Sequence, residues 1–270
     1  MSEGFSAAWL DRREPADAAA RSQPLLERFK GWCAVRPGEL RVVDLGAGTG
    51  ANLRRTAPVL GRPQTWTLIE HDPTLTAAGA ARLAGCQVTW RYRALDLARE
   101  LETLAAEPVD LITASALIDL VSQAWLDRLV ALRSRTGAAL AVDLSFDGRV
   151  SWAPLDASDA LVIELVNRHQ RTDKGFGPAL GSQAAMALLR GLDGSRGELL
   201  LARSDWRLGP EATALQQELL RGHAEAAVAI APEHRDEIEG WQQRRLRPIE
   251  GGRSALLVGH LDLLFLPEQP

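Results

Sequence analysis

A glycine-rich segment preceded by an acid is the first feature of the chain that could do chemistry. Residues 42–50 read VVDLGAGTG, so Asp44 stands two positions before the first of three alternating glycines. Glycines at this spacing let a backbone turn approach a ligand closely, because no Cβ atom intervenes. The branched apolar residues before Asp44 are typical of a buried strand. The segment therefore predicts a ligand-binding loop at the end of a strand.

The glycines alone leave two kinds of ligand open. Gly46, Gly48 and Ala51 satisfy the loose dinucleotide pattern G-x-G-x-x-[G/A], which would place a pyrophosphate on the loop. Asp44 favours a nucleoside without phosphate, because a carboxylate and a pyrophosphate repel each other at close range. The same carboxylate can bind an ammonium group, directly or through water. S-adenosylmethionine is the nucleoside cofactor that carries such a group.

Two further acids follow the next two apolar runs. Glu70, in LIEHDP, stands 24 residues after Gly46, where a carboxylate can accept hydrogen bonds from both hydroxyls of a ribose. This role fits NAD as well as S-adenosylmethionine, so Glu70 indicates a ribose without separating the two cofactors. Asp96, in ALDL, could bind an adenine amino group or cap the helix that follows it. Asp72, directly before Pro73, is typical of a helix cap.

These residues require a sheet that brings the ends of several strands together. Short runs rich in branched residues alternate with amphipathic segments, a pattern that predicts right-handed βαβ units and a parallel sheet. The runs are 40–45, 65–70, 86–92, 109–114 and 138–144, and the helical segments between them are 51–60, 73–84, 97–106 and 122–135. Two late apolar runs, 196–209 and 252–266, predict an antiparallel pair that closes one edge.

The expected fold is therefore α/β: a Rossmann-like, seven-stranded, mostly parallel sheet with an antiparallel edge hairpin and helices on both faces. Residues 1–37 are predicted to form a helical lid in front of the first strand. Residues 38–270 are predicted to form the main domain, with a helical insertion at 211–247. A further helical region over 157–192 is broken at 173–181.

At these motifs the chain resembles the class I S-adenosylmethionine-dependent methyltransferases. The resemblance lies in VVDLGAGTG, LIEHDP, LDL and VDLITASALIDLVS, in that order, and covers residues 38–266. It implies a cofactor site made of Asp44, Gly46, Ala47, Gly48 and Thr49 at the methionine end, Glu70 with His71 at the ribose, Asp96 and Leu97 at the adenine, and Ser115 and Ala116 near the sulfonium. It also implies that an arginine from the helix before the first strand, Arg21 or Arg13, neutralises the methionine carboxylate.

The stretch NRHQRTDKGFGPALG, at 167–181, is the main candidate for the acceptor side. A glycine-rich break inside a helical region is typical of a functional loop, although a polar helix end would look similar. His169 could act as a base, and Arg171 or Lys174 could hold an anionic substrate group. Asp119, after the fourth strand, is a second candidate that could equally be a helix cap. The predicted set is His169, Asp119 and Asp173 for catalysis, and Asp147, Arg171, Lys174 and Phe176 for substrate binding.

Metal, nucleic acid and membrane are not expected as partners. Metal-dependent members of the resembled family need an acid after strand four and an Asp-Asn pair after strand five, where this chain has TAS and DLS. The net charge of −4 argues against nucleic acid, as does the lack of an Asn-Pro-Pro-aromatic motif after strand four. The charged first segment, and the lack of any run of about 18 apolar residues, predict a cytoplasmic protein without a membrane span.

The sequence therefore predicts an S-adenosylmethionine-dependent methyltransferase that acts on an oxygen or nitrogen atom of a small molecule. An NAD-dependent oxidoreductase is one alternative, but it would call for a sixth parallel strand. A transferase that moves an aminopropyl group usually carries an acidic pair in the strand-four loop, where this chain has only Asp119. A non-catalytic S-adenosylmethionine-binding protein is also compatible with the sequence, as are both a monomer and a homodimer.

Overall fold

A mixed sheet forms the centre of the protein in the computed structural model, which describes residues 5–268. Its strands are β1 Leu40–Leu45, β2 Gln64–Ile69, β3 Thr89–Arg93, β4 Leu111–Ser115, β5 Ala139–Ala153, β6 Gly197–Arg203, β7 Trp206–Leu208 and β8 Ala255–Pro267. Their order is β3-β2-β1-β4-β5-β8-β6, with the short β7 pairing with β8 beyond the end of β6. The first five strands are parallel, and β8 runs antiparallel between β5 and β6.

The predicted sheet is confirmed, with two corrections at its late strands. The run 196–209 forms two strands rather than one, divided at Ser204 and Asp205, where the backbone N–H of His260 donates to Asp205 Oδ1 at 3.4 Å. The fifth strand does not end at residue 144 but continues to Ala153. It can do so because β8 follows it through two register shifts, between Val142 and Ser145 and between Phe146 and Val150. Bulges of this kind bend a strand without ending its pairing.

Helices cover both faces of the sheet. They are α1 Ala7–Ala20, α2 Gln23–Ala34, α3 Ala51–Leu60, α4 Pro73–Leu83, α5 Leu97–Glu100, α6 Gln123–Thr136, α7 Asp159–Gln170, α8 Ala184–Leu192, α9 Thr213–Ile230 and α10 Arg235–Glu250. Asp72 and Asp96 cap α4 and α5, each accepting a backbone N–H two residues on. None of the helices within residues 5–268 combines the length and apolar character needed to cross a membrane.

The apolar core has three parts. One lies on the face covered by α5, α6 and α8, and another on the face covered by α2, α3 and α4. The third packs α7, α9 and α10 against the far ends of β5 and β8, where Trp152 and Trp241 are buried with ring centroids 6.3 Å apart. Because β5 and β8 extend beyond the carboxyl ends of β1 and β4, the helices α7, α9 and α10 pack beyond that edge of the sheet. Two cavities lie between these parts of the chain.

Candidate functional site

The glycine loop after β1 depends on the missing side chains of its glycines. Gly46, Gly48 and Gly50 have φ angles of +64°, +53° and +75°, values that strongly favour glycine. Two side chains from the neighbouring strands fix the turn. Tyr92 Oη on β3 donates to the Gly48 carbonyl at 3.0 Å, and Glu70 Oε2 accepts the Gly48 N–H at 3.0 Å. The loop is therefore held from both β2 and β3.

Glu70 carries more than one hydrogen bond at this edge. Its Oε1 accepts the backbone N–H groups of His71 at 2.8 Å and Asp72 at 3.0 Å. A carboxylate oxygen offers about two lone-pair sites, so Oε2, which accepts only the Gly48 N–H, retains capacity for a further donor such as a ribose hydroxyl. Glu70 is buried and lines the cavity in front of the glycine loop. It is thus both an anchor of the loop and a candidate ligand contact.

Asp44 presents an unsatisfied acceptor at this loop cavity. Its Oδ1 accepts from Asn52 Nδ2 at 2.8 Å and from Thr113 Oγ1 at 2.7 Å, whereas the buried Oδ2 has no partner in the part of the chain that the structure describes. Burial raises the pKa of Asp44 to about 6, against the effect of these two hydrogen bonds. A buried acceptor without a partner is costly unless a ligand supplies the donor.

Arg55 presents the complementary feature at the same loop cavity. Its side chain is only 10% exposed; Nη2 lies 3.4 Å from Ser115 Oγ, whereas Nε and Nη1 have no hydrogen-bond partner within residues 5–268. The nearest carboxylate oxygen, Oδ2 of Asp17, lies 3.7 Å from Nη1, beyond hydrogen-bond distance. Burial, reinforced by the charge of Arg21, lowers the pKa of Arg55. The cavity is therefore lined by a cation with two N–H groups, and by a carboxylate with one oxygen, that make no hydrogen bond within residues 5–268.

A second, larger cavity of about 580 Å³ adjoins the first and shares Phe5, Arg13 and Ala116 with it. About half of the residues that line it are apolar, among them Trp9, Leu120, Leu144, Phe146, Val166, Trp206, Leu219 and Val258. Asp119, His169, Asp173 and Lys174 line it, together with His223 and His260. Within residues 5–268, no three His, Cys, Asp or Glu side chains are grouped so that they could hold a metal ion.

Comparison with known proteins gives results at the level of structure. The sequence matches no family model and no curated protein. A protein provisionally called a type II methyltransferase, from Anaeromyxobacter dehalogenans, superposes with a TM-score of 0.51 at 15% identity, over 90% of this chain and 97% of its own. The shared architecture and the strand order β3-β2-β1-β4-β5-β8-β6 decide the fold. This chain has the class I methyltransferase fold.

Two further solved structures are similar over almost the whole chain. A methyltransferase dependent on S-adenosylmethionine from Geobacter sulfurreducens, solved with S-adenosyl-L-homocysteine, gives a TM-score of 0.48 at 17% identity, over 99% of this chain and all of its own. The cyclopropane synthase MmaA2 from Mycobacterium tuberculosis gives 0.49 at 13% identity, over 97% of this chain and 94% of its own.

Within this methyltransferase fold, most of the predicted cofactor residues meet at one cavity. Those that line it are Asp44, Gly46, Ala47, Gly48, Thr49, Glu70, Ser115 and Ala116. The roles assigned to them remain predictions. Ala116 has a positive φ of 51°, which turns the chain after β4 at the junction of the two cavities.

Four predicted cofactor residues lie elsewhere in the fold. Arg21 donates to Asp143 Oδ2 at 2.6 Å and to Thr56 Oγ1 at 2.9 Å. The side chain of His71 is 81% exposed. Asp96 accepts the N–H of Ala98 at 2.9 Å as a helix cap, and Leu97 packs in the core.

The arginines of the loop cavity are Arg13, which the sequence indicated, and Arg55, which it did not. Arg13 is paired with Asp17 at 3.0 and 3.1 Å. A sequence signal for Arg55 did exist, because it lies one helical turn after Ala51 on the helix that begins at the glycine loop. That spacing places Arg55 on the same face of α3 as Ala51, which also lines the cavity.

The predicted acceptor-side residues also divide into two groups. Asp119, His169, Asp173 and Lys174 line the larger cavity, whereas Asp147, Arg171 and Phe176 do not. Asp147 is paired with Arg149, Phe176 packs edge-on against Trp125 at 5.7 Å, and Arg171 is exposed. His223 and His260 were missed, because each occupies an ordinary helical or strand position in the sequence. Burial lowers the pKa of His260 to about 3, which keeps this imidazole neutral at pH 7.

Asp119 is the acid of the larger cavity closest in sequence to Ala116. It lies in the short 3₁₀ turn Ile118–Leu120, is 8% exposed, and its buried Oδ1 has no partner. Burial raises the pKa of Asp119 to about 6. Near neutral pH such a carboxyl can accept a proton from a bound hydroxyl or ammonium group.

Replacing Asp119 by Asn is expected to stabilise the protein more at pH 8 than at pH 5. The folded protein holds the Asp119 proton more tightly than the unfolded chain does, so the free energy of unfolding falls as pH rises through about 6. The gain of the variant over the wild type should therefore grow by about 1 kcal/mol between these pH values. Urea unfolding at both pH values measures it. Asp44 and Asp262, also raised to about 6, titrate in both proteins and cancel. A gain that does not vary with pH would contradict the raised pKa.

Proposed function

We propose that this protein is an S-adenosylmethionine-dependent methyltransferase that methylates a small molecule. One observation carries the proposal. Asp44 Oδ2 and the Nε and Nη1 groups of Arg55 are unpaired at the same cavity, in front of the glycine loop. A ligand that satisfies both needs an ammonium and a carboxylate on one short fragment. The methionine end of S-adenosylmethionine has these two groups.

The same pair of groups argues against a dinucleotide cofactor. A pyrophosphate carries only negative charge in contact with the loop, so it would satisfy Arg55 but repel Asp44. The dinucleotide alternative also calls for a sixth parallel strand. In the part of the chain that the structure describes, β8 and β6 are antiparallel instead. The loose G-x-G-x-x-A match is thus better explained by a turn that approaches a nucleoside.

The two cavities divide the tasks of a methyl transfer. Glu70 would bind the ribose hydroxyls, and Asp44 with Arg55 would hold the amino-acid end of the cofactor. When bound, the cofactor supplies an electrophilic methyl group. The larger cavity, of about 580 Å³, is in the size range of small-molecule sites, and its apolar residues would pack against the body of the acceptor. Asp119 would take the proton that an oxygen or nitrogen acceptor loses.

Isothermal titration of the purified protein with S-adenosylhomocysteine, with NADH as the matched control, tests this proposal. We expect micromolar binding of the first and none of the second. Binding of NADH alone would overturn the proposal in favour of an oxidoreductase. If neither bound, the glycine loop would be a structural turn. Binding of S-adenosylhomocysteine without transfer of labelled methyl to any compound of a metabolite extract would favour a non-catalytic binding protein.

A further inference from the structure

Lys174 is an ammonium group without a counter-ion at the edge of the larger cavity. It is one of only two lysines in the chain, beside 29 arginines. Its side chain is half-buried, and no carboxylate within residues 5–268 lies within 4.0 Å of its Nζ. The neighbouring acid, Asp173, directs Oδ1 to the N–H groups of Gly175 and Gly177, at 2.7 and 3.0 Å. Arg13, which lines the same cavity, is by contrast paired with Asp17.

The contacts of Lys174 orient it and leave a donor free. Its Nζ donates to Thr172 Oγ1 at 2.9 Å and lies 3.4 Å from His169 Nδ1. An ammonium has three N–H donors, so a third remains for a ligand. Because an ammonium can only donate, His169 Nδ1 must be the acceptor, which assigns the imidazole proton to Nε2. Burial, followed by the charge of Lys174, lowers the pKa of His169 and keeps this neutral form.

Lys174 and His169 therefore offer two N–H donors beside the larger cavity. The remaining polar groups of the cavity have a different character. Asp119, whose buried Oδ1 has no hydrogen-bond partner within residues 5–268, lies in the 3₁₀ turn after β4. Lys174 lies in a different segment, the loop that follows α7. The wall of the same cavity also includes Trp9, Phe146 and Trp206. A complementary molecule has an apolar body, an anionic group for the donors and a separate proton-bearing group for Asp119.

We infer that the methyl acceptor is an amphipathic organic anion, whose carboxylate or similar anionic group binds Lys174 Nζ and His169 Nε2 while its hydroxyl or amino group faces Asp119. Its apolar body lies against the aromatic wall of the cavity. This inference rests on the proposed function, because the bound anion is a methyl acceptor only if the protein is a methyltransferase. The anion site itself depends only on the geometry around Lys174.

A matched pair of fluorescent probes tests the anion site without knowledge of the natural substrate. 1-Anilinonaphthalene-8-sulfonate and N-phenyl-1-naphthylamine share the same aromatic body and differ in the sulfonate. Titration of each probe into the wild type, Lys174→Met, Lys174→Arg and Lys30→Met gives the comparison. Lys30, the other lysine, is exposed on α2, remote in sequence from the cavity, and serves as the control for loss of one charge.

We expect Lys174→Met to weaken binding of the sulfonate probe about tenfold and of the neutral probe less than twofold. Lys174→Arg should restore most of the affinity, and Lys30→Met should change neither probe. Equal losses of both probes, or no loss of either, would overturn the inference. Titration of the same samples with S-adenosylhomocysteine separates the two proposals. A Lys174-dependent anion site without cofactor binding refutes the methyltransferase function alone.

Discussion

Replacing Arg55 by Met is expected to weaken binding of S-adenosylhomocysteine about 10- to 100-fold. The guanidinium is almost fully buried, and its Nε and Nη1 groups have no partner until a ligand arrives. A hydrogen bond to a charged group contributes about 1.5–3 kcal/mol, which converts to that range of affinity. Isothermal titration of the variant measures the loss directly.

The control for Arg55 is a second ligand rather than a second variant. 5′-Methylthioadenosine has the nucleoside of S-adenosylhomocysteine but lacks its amino acid, so its affinity should not change. The variant should also unfold at the same temperature as the wild type or at a higher one, because a buried charge without partners is costly to the fold. Equal weakening of both ligands would show a general distortion of the loop. No weakening of either would show that Arg55 does not bind the carboxylate.

Replacing Arg245 by Ala is expected to cost about 3–5 kcal/mol of unfolding free energy, the usual result of breaking a buried ion pair. Arg245 is 2% exposed and pairs with Asp159, and its Nε lies 3.0 Å from Oδ1. The same oxygen accepts from Trp241 Nε1 at 2.8 Å, and Arg245 also donates to the carbonyl of Pro154. The network joins α10 to the end of β5 and to α7. Since a whole domain is stable by only about 5–15 kcal/mol, the loss should be evident in urea unfolding.

The adjacent residue provides the matched control for Arg245. Arg244 also forms a bidentate pair with an acid: its Nε and Nη2 donate to the two carboxylate oxygens of Asp156, at 2.7 and 3.0 Å. Its side chain, however, is 49% exposed. Water screens such a pair, so Arg244→Ala should change the unfolding midpoint far less. If the two variants were equally destabilised, burial would not be the cause of the effect. The late helices would then be held mainly by their apolar contacts.

The glycine loop, the sheet and the acids at its edge could be predicted because each has a local signal. Positive φ angles at Gly46, Gly48 and Gly50 leave little choice of residue, and parallel strands require continuous runs of branched residues. The strand ends were less predictable. The fifth strand was predicted to end at residue 144, yet β5 continues to Ala153, because it pairs with β8, which is distant along the chain.

The sequence by itself determined the fold class, the position of the glycine loop and several residues that line its cavity. Only the tertiary structure decided which arginines line that cavity. Arg21 and Arg55 look alike in the sequence, but Arg21 donates to Asp143, 122 residues away, whereas Arg55 makes no hydrogen bond to a carboxylate within residues 5–268. Whether a charged side chain is paired depends on groups that are distant along the chain. Local sequence patterns carry no information about those groups. Donors and acceptors that are left without a partner, and so indicate a ligand, can therefore be identified only in the folded chain.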